Sequence, residues 1–143
     1  MDQPFNAVTR VLHDYFDGLY HSDTTILREV FHPAALYACA TDGTLLKLGM
    51  DEYFPIVEQR QAPAARNEVR HDRIIGIEFA GPVTALARVE CAIGPKRFSD
   101  FLTLVLVDGR WQIIAKVFHF TQPNPLSCEA PPSHSPRNGP TLR

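Results

Sequence analysis

The chain has 143 residues, 14 lysines and arginines against 16 aspartates and glutamates, and a formal net charge of −2. This length suits one domain, and the charge argues against a large electrostatic surface for nucleic acid or anionic membrane. No apolar run is long enough to span a membrane, and the first ten residues lack the apolar core of a signal peptide, so we expect a cytoplasmic protein.

The cysteines and histidines indicate no metal site. Cys39, Cys91 and Cys128 are odd in number and far apart, which is typical of free thiols in a reducing compartment. The six histidines show no His-x-His or HExxH spacing, and the cysteines no CxxC spacing. We therefore expect neither a bound metal nor a cofactor.

Apolar residues recur at helical spacing from residue 4 to residue 20 and predict a first helix that begins near Pro4. Ser22 or Asp23 is suited to cap a second, shorter helix that stops at His32-Pro33. Residues 35–49 are then predicted to form two short strands.

A third helix is predicted to begin at Gly49, with Tyr53 and Phe54 on its buried side. After it, alternating apolar residues and turns at Gly94-Pro95 and Asp108-Gly109 predict an antiparallel meander.

The turns set the expected strand registers. A two-residue turn at Gly94-Pro95 pairs Val89 with Asp100. An unbroken ladder from Asp108-Gly109 pairs Asp100 with Val117 and Phe98 with His119. Because side chains alternate along a strand, Asp100 and His119 would then be diagonal neighbours on the apolar inner face, with Lys116 on the outer face.

Beyond residue 122 the composition changes. Residues 123–143 contain six prolines and no apolar periodicity, which predicts a disordered tail after a domain of residues 1–122.

Several motifs carry a resemblance to a known family. They are Gly49-x-x-x-Tyr53, Arg60 with Pro63-Ala64-Ala65, Arg73-Ile74-Ile75-x-Ile77, Asp100-Phe101-Leu102-Thr103-Leu104 and Asp108-Gly109-x-Trp111-x-Ile113-x-x-Lys116-x-Phe118-His119. With three helices before a bent meander, this pattern resembles the NTF2-like superfamily, which includes ketosteroid isomerase and SnoaL-type polyketide cyclases. Within it the chain is most similar to the putative lumazine-binding family. The resemblance implies an α+β fold, a cone of three N-terminal helices packed on a strongly curved, mainly antiparallel sheet.

The resemblance also implies roles for individual residues. Tyr15 matches the first-helix tyrosine of ketosteroid isomerase, which donates a hydrogen bond to an oxyanion, and Asp100 roughly matches the aspartic acid beside it. Where that enzyme has an aspartate base this chain has Cys39, and a thiol is a poor substitute for that carboxylate. His119 is then the candidate base.

The leading hypothesis is a small-molecule-binding protein with an apolar pocket for a flat or polycyclic ligand. The alternatives are a cofactor-free isomerase, dehydratase or cyclase, and a structural dimerisation module without a ligand. The candidate catalytic residues are Asp100, His119 and Tyr15. The predicted ligand-binding residues are Tyr15, Leu19, Phe31, Tyr37, Cys39, Phe54, Val89, Phe98, Asp100, Leu102, Val117 and His119.

The outer face of the sheet is predicted to be mixed in character but too apolar for open water. Phe101, Val105, Ile114 and Phe118 fall on it in an unbroken ladder. Left in water they would form a large exposed patch, so we expect a homodimer through this face.

Overall fold

The computed structural model describes residues 3–122, and the predicted tail lies outside the described residues. The helices are α1 (Pro4–His21), α2 (Thr24–Val30) and α3 (Met50–Gln59), followed by a short 3-10 helix at Pro63–Arg66. The strands are β1 (Phe31–Cys39), β2 (Leu46–Gly49), β3 (Arg73–Phe79), β4 (Thr84–Ile93), β5 (Lys96–Val107) and β6 (Arg110–Thr121). No helix in this part of the chain is both long and apolar enough to cross a membrane.

The first two helices form where the sequence predicts them and pack closely. The Asp23 carboxylate accepts hydrogen bonds from the backbone N–H groups of Thr25 and Ile26, so Asp23 is the N-cap of α2. A Cβ atom at Gly18 would lie only 2.6 Å from Leu27 Cδ2. Glycine at this position therefore lets α1 and α2 approach each other.

The six strands form one open, mixed sheet in the order β2-β1-β6-β5-β4-β3. All neighbouring strands are antiparallel except β1 and β6, which run parallel. The helices cover one face of this sheet, and the apolar core lies between the two layers. The predicted α+β cone with three N-terminal helices is confirmed.

The meander follows the predicted turns. Val89 lies opposite Asp100 across β4 and β5, as expected from a two-residue turn at Gly94-Pro95. Asp108 and Gly109 both have positive φ angles, 52° and 77°, as the type I′ turn requires.

The predicted register of the last hairpin is wrong beyond its first residues. Leu104 lies opposite Ile113, but Thr103 lies opposite Ala115, so Ile114 is an extra residue on β6. Such a β-bulge shifts the pairing by one residue and exchanges the two faces of the strand beyond it. The bulge therefore moves the rest of β6 out of the register that an unbroken ladder predicts.

Asp100 consequently lies opposite Phe118 rather than Val117, and His119 lies opposite Ser99 rather than Phe98. Lys116 and Phe118 point into the core, while Val117 and His119 are exposed on the outer face.

Candidate functional site

The inner face of the sheet carries two polar residues in neighbouring rows. In one row Asp100 lies between Val89 and Phe118. In the next row Lys116 lies between Leu102 and Tyr37. Asp100 and Lys116 are therefore diagonal neighbours on β5 and β6, at a spacing of roughly 7–8 Å between Cβ atoms.

Tyr15 connects the first helix to this face. Its hydroxyl donates a hydrogen bond of 2.6 Å to Oδ2 of Asp100, and both side chains are buried. The helical periodicity of α1 turns Tyr15 inward, with Leu12 and Leu19 on the same buried stripe. Tyr15 and Asp100 therefore lie side by side, but the phenol donates to Asp100, whereas the resemblance to ketosteroid isomerase implies two groups that both donate to an oxyanion. Because the phenol donates to the carboxylate, Asp100 acts here as a hydrogen-bond acceptor.

Lys116 is fully buried and its ammonium nitrogen is surrounded by aromatic rings. Nζ lies 5.1 Å from the ring centre of Tyr15, 5.3 Å from that of Tyr53, 5.4 Å from that of Tyr37 and 5.3 Å from that of Phe118. It also lies 3.5 Å from the Tyr53 hydroxyl. Aromatic faces attract a cation at such distances, so the rings form a cage for a positive charge.

Ring contacts hold the cage together across three elements. The rings of Tyr37 on β1 and Tyr53 on α3 are 4.6 Å apart between centres. Phe31 packs edge-on against both Tyr15 and Tyr53, with centres 6.0 Å apart in each case. We call Tyr15, Tyr37, Tyr53, Asp100 and Lys116 the lysine cluster.

The electrostatics of the lysine cluster are those of two opposite charges in an apolar core. Burial of either charge alone costs free energy, because the surroundings cannot replace its hydration. The diagonal arrangement of Asp100 and Lys116, the Tyr15 hydrogen bond and the ring faces reduce that cost. The cluster thus holds a carboxylate, an amine and phenol hydroxyls away from water, which are the groups that acid–base and nucleophilic chemistry needs.

Most residues that the sequence assigns to a ligand site lie together in the core. The buried members are Tyr15, Leu19, Phe31, Tyr37, Cys39, Phe54, Val89, Phe98, Asp100 and Leu102. Val117 and His119 lie on the opposite face of the sheet, because the bulge at Ile114 turns them outward. The predicted pairing of Asp100 with His119 is therefore wrong.

Lys116 is the functional candidate that the sequence reasoning missed, since an unbroken ladder puts it on the outer face. A signal was available in the pattern after the bulge. Phe118 and Phe120 alternate around His119, which places the two aromatic residues on one face and the histidine on the other. The helical pattern of α3 predicts that Tyr53 is buried, but it does not predict that Tyr53 lies beside Lys116.

His119 has a different environment on the outer face. Its Nδ1 atom is 2.9 Å from the hydroxyl oxygen of Thr41. The Sγ atom of the buried Cys39 is 3.3 Å from the same hydroxyl oxygen. His119 also lines a groove of about 360 Å³. The residues around this groove are Arg88, Ser99, Asp100, Phe101, Val117, Phe118 and His119.

Among residues 3–122, no three His, Cys, Asp or Glu side chains are grouped to hold a metal ion.

Solved structures of NTF2-like proteins are similar to the chain. Two structures of NTF2-like proteins of unknown function each share 27% identity over 82% of this chain. The one from Silicibacter pomeroyi is covered over 95% of its length with a TM-score of 0.71, and the one from Shewanella baltica over 93% with a TM-score of 0.73.

A sequence relative has a named activity. Aldolase FrzH from a Cladobotryum species is 26% identical over 117 residues, which are 80% of this chain and 90% of that protein. The profile of the putative lumazine-binding family matches residues 3–119. The chain therefore belongs to the putative lumazine-binding family, within the NTF2-like superfamily.

Proposed function

We propose that this protein binds a flat, largely apolar carbonyl compound at the lysine cluster and catalyses an aldol-type reaction on it. The observation that carries the proposal is the cluster itself. Tyr15, Asp100 and Lys116 bring a phenol, a carboxylate and an amine together within an aromatic core.

An aldol reaction begins with removal of a proton from the carbon next to a carbonyl group. A carboxylate is one of the side-chain groups that can act as the base in this step, and Asp100 is the carboxylate in the cluster. The negative charge that develops on the carbonyl oxygen needs a donor or a cation, a role for which Lys116 and the hydroxyl of Tyr53 are suited.

The aromatic residues of the cluster support the predicted ligand class. The rings of Tyr37 and Tyr53 are tilted by 32° with centres 4.6 Å apart, and Phe31 and Phe118 flank them. Ligand sites are typically built from such apolar and aromatic walls with a few convergent polar groups. In this proposal the flat ligand packs against these rings, and its carbonyl oxygen is directed at Lys116.

The relative named as an aldolase supports the choice among reactions. An isomerase of the ketosteroid type would use the same first step, the removal of a proton beside a carbonyl. Burial of a carboxylate and an amine in the core costs free energy, and a protein that only dimerises does not need either group there.

The test uses 2-tetralone, a flat bicyclic ketone, in heavy water. Exchange of its α-protons for deuterium is followed by proton NMR with the wild-type chain, Asp100→Asn and Glu90→Gln. Glu90 is the matched control, because it lies on the neighbouring strand β4 and forms an ion pair with Arg73 at 3.7 Å instead. We expect the wild-type protein to accelerate exchange and Asp100→Asn to lose about 10²–10⁴-fold of that acceleration. Exchange no faster than in buffer, or equal effects of the two substitutions, would contradict the proposal.

A further inference from the structure

We propose that Lys116 is the nucleophile of this site and forms a covalent imine with the carbonyl carbon of an aldehyde or ketone. This rests on the proposed function, because it describes how the same cluster holds its substrate. The chain has two other lysines. Lys47 is exposed, and Lys96 is half-buried with its Nζ atom 4.4 Å from the ring centre of Phe120. Lys116 alone of the three is fully buried.

The ammonium group of Lys116 has no lone pair and must lose a proton before the amine can attack a carbonyl carbon. The apolar core disfavours the charged form, whereas the aromatic rings and the Asp100 carboxylate favour it, so the free amine depends on proton transfer to Asp100. Removal of an amine from water into such a pocket is one of the known ways to activate a lysine for imine formation. Asp100, the diagonal neighbour of Lys116 on the inner face, is the carboxylate that can take the proton of the ammonium group.

The aromatic cage suits the product of the attack as well as the free lysine. The protonated imine carries its positive charge on Nζ, where the ring centres of Tyr15, Tyr37, Tyr53 and Phe118 lie 5.1–5.4 Å away. These faces stabilise a cation and also exclude the water that would hydrolyse it. The same cage on the protein surface would serve neither purpose as well.

The steps balance without an oxidant or a reductant. The Nζ lone pair bonds to the carbonyl carbon while one Nζ proton passes to the carbonyl oxygen. The proton held by Asp100 then goes to that hydroxyl group, which leaves as water, and the cationic imine forms. Asp100, again a carboxylate, takes a proton from the α-carbon, and the electrons of that C–H bond form an enamine. The enamine carbon bonds to a second carbonyl carbon, whose π electrons move to its oxygen; that oxygen takes the proton from Asp100, and the cationic imine is restored. Water then adds to the imine carbon as Asp100 takes one of its protons. The remaining hydroxyl proton passes to Nζ as the C–N bond breaks, which releases the carbonyl product and the amine of Lys116.

The imine can be trapped on the wild-type chain, so the result does not depend on the folding of a variant. The protein is incubated with 2-tetralone and sodium cyanoborohydride, which delivers hydride to an imine carbon and makes the C–N bond permanent. Intact-mass measurement should show one adduct with the mass of the ketone less one oxygen atom. Peptide mapping should locate it at Lys116. The adduct should be lost in Lys116→Arg and retained in the control Lys47→Arg.

The outcomes separate this inference from the proposed function. An adduct confined to Lys47 and Lys96 would overturn the imine. Absence of any adduct, while α-proton exchange continues and still depends on Asp100, would also overturn it but leave the proposed function in place. Absence of both the adduct and the exchange would overturn both.

Discussion

The phenol of Tyr15 donates a 2.6 Å hydrogen bond to the carboxylate of Asp100, which lies 85 residues further along the chain. This contact joins the first helix to the middle of the sheet inside the apolar core. Because both groups are buried, neither can exchange its partner for water without opening the layers. The contact thus stabilises the fold and also fixes the position of Asp100 in the lysine cluster.

Replacement of Tyr15 by Phe should lower the free energy of unfolding by about 1–3 kcal/mol, because it leaves a buried carboxylate with one donor fewer. Urea denaturation measures this change. Tyr20→Phe is the matched control, since the Tyr20 hydroxyl donates to the backbone carbonyl of Glu68 at 2.6 Å in a half-buried position. We expect it to cost less, about 0.5–1.5 kcal/mol, and to leave α-proton exchange of 2-tetralone unchanged. Equal losses of exchange in both variants would show that Tyr15 has no special relation to the site.

Asp100 and Lys116 should be energetically coupled. Either Asp100→Asn or Lys116→Met alone leaves the other buried charge without its neighbour and should cost about 3–5 kcal/mol. The double variant should then be more stable than the sum of the single changes predicts, by about 0.5–3 kcal/mol. Urea denaturation of the four proteins gives this coupling energy.

The ion pair of exposed Arg73 and half-buried Glu90, with side-chain atoms 3.7 Å apart at the sheet surface, provides the control cycle. Its coupling energy should stay below about 1 kcal/mol, because solvent screens the two charges. If the changes at Asp100 and Lys116 were additive, the two groups would be independent, and the proton transfer between them would lose its basis.

The sequence predicts the fold much better than it predicts the site. The helical periodicity of residues 4–20 and the Asp108-Gly109 turn each depend on local residues, and both predictions are confirmed. The bulge at Ile114 does not have such a local cause. A bulge bends its strand and increases the twist, and here it lies where β6 packs against β1 and the helices. The bend that the bulge gives to β6 depends on the packing of the whole fold. The position of the bulge decides whether Lys116 or His119 lies in the core.

Stability should depend on pH through Glu68. Partial burial by itself raises the pKa of Glu68, but the hydrogen bonds from the Gly94 N–H and the Arg66 guanidinium, with the charge of Arg66, lower the pKa below the ordinary 4.5. A carboxylate with a lowered pKa stabilises the fold above its unfolded pKa, and that contribution disappears as the pH falls through the folded pKa.

The difference in unfolding free energy between the wild-type chain and Glu68→Gln should therefore be largest near neutral pH and shrink below about pH 4. Urea denaturation at neutral and acidic pH measures this difference. A difference that is the same at both ends of the range would mean that Glu68 stabilises the fold by its shape and not by its charge.

We propose that two copies of the chain pair through the outer face of the sheet. Phe101 and Val117 lie opposite each other on β5 and β6 and are 51% and 47% exposed, and Leu86 on β4 is exposed beside them. This differs from the sequence prediction, which put Phe118 on this face, since Phe118 is buried in the core. Apolar residues clustered on one face of a sheet, next to a groove of about 360 Å³, are typical of a surface that another chain covers.

Sedimentation equilibrium at micromolar concentration should give twice the chain mass of 16.0 kDa. Phe101→Lys and Val117→Lys should each give a monomer, because each adds a cation beside Arg88, which lines the same groove, and burial of like charges against the other copy costs free energy. Leu45→Glu is the control, as Leu45 is 70% exposed but lies outside the strands of the outer face. It should leave the dimer intact. A wild-type chain that sediments as a monomer, or a Phe101→Lys variant that remains a dimer, would rule out this face as the interface.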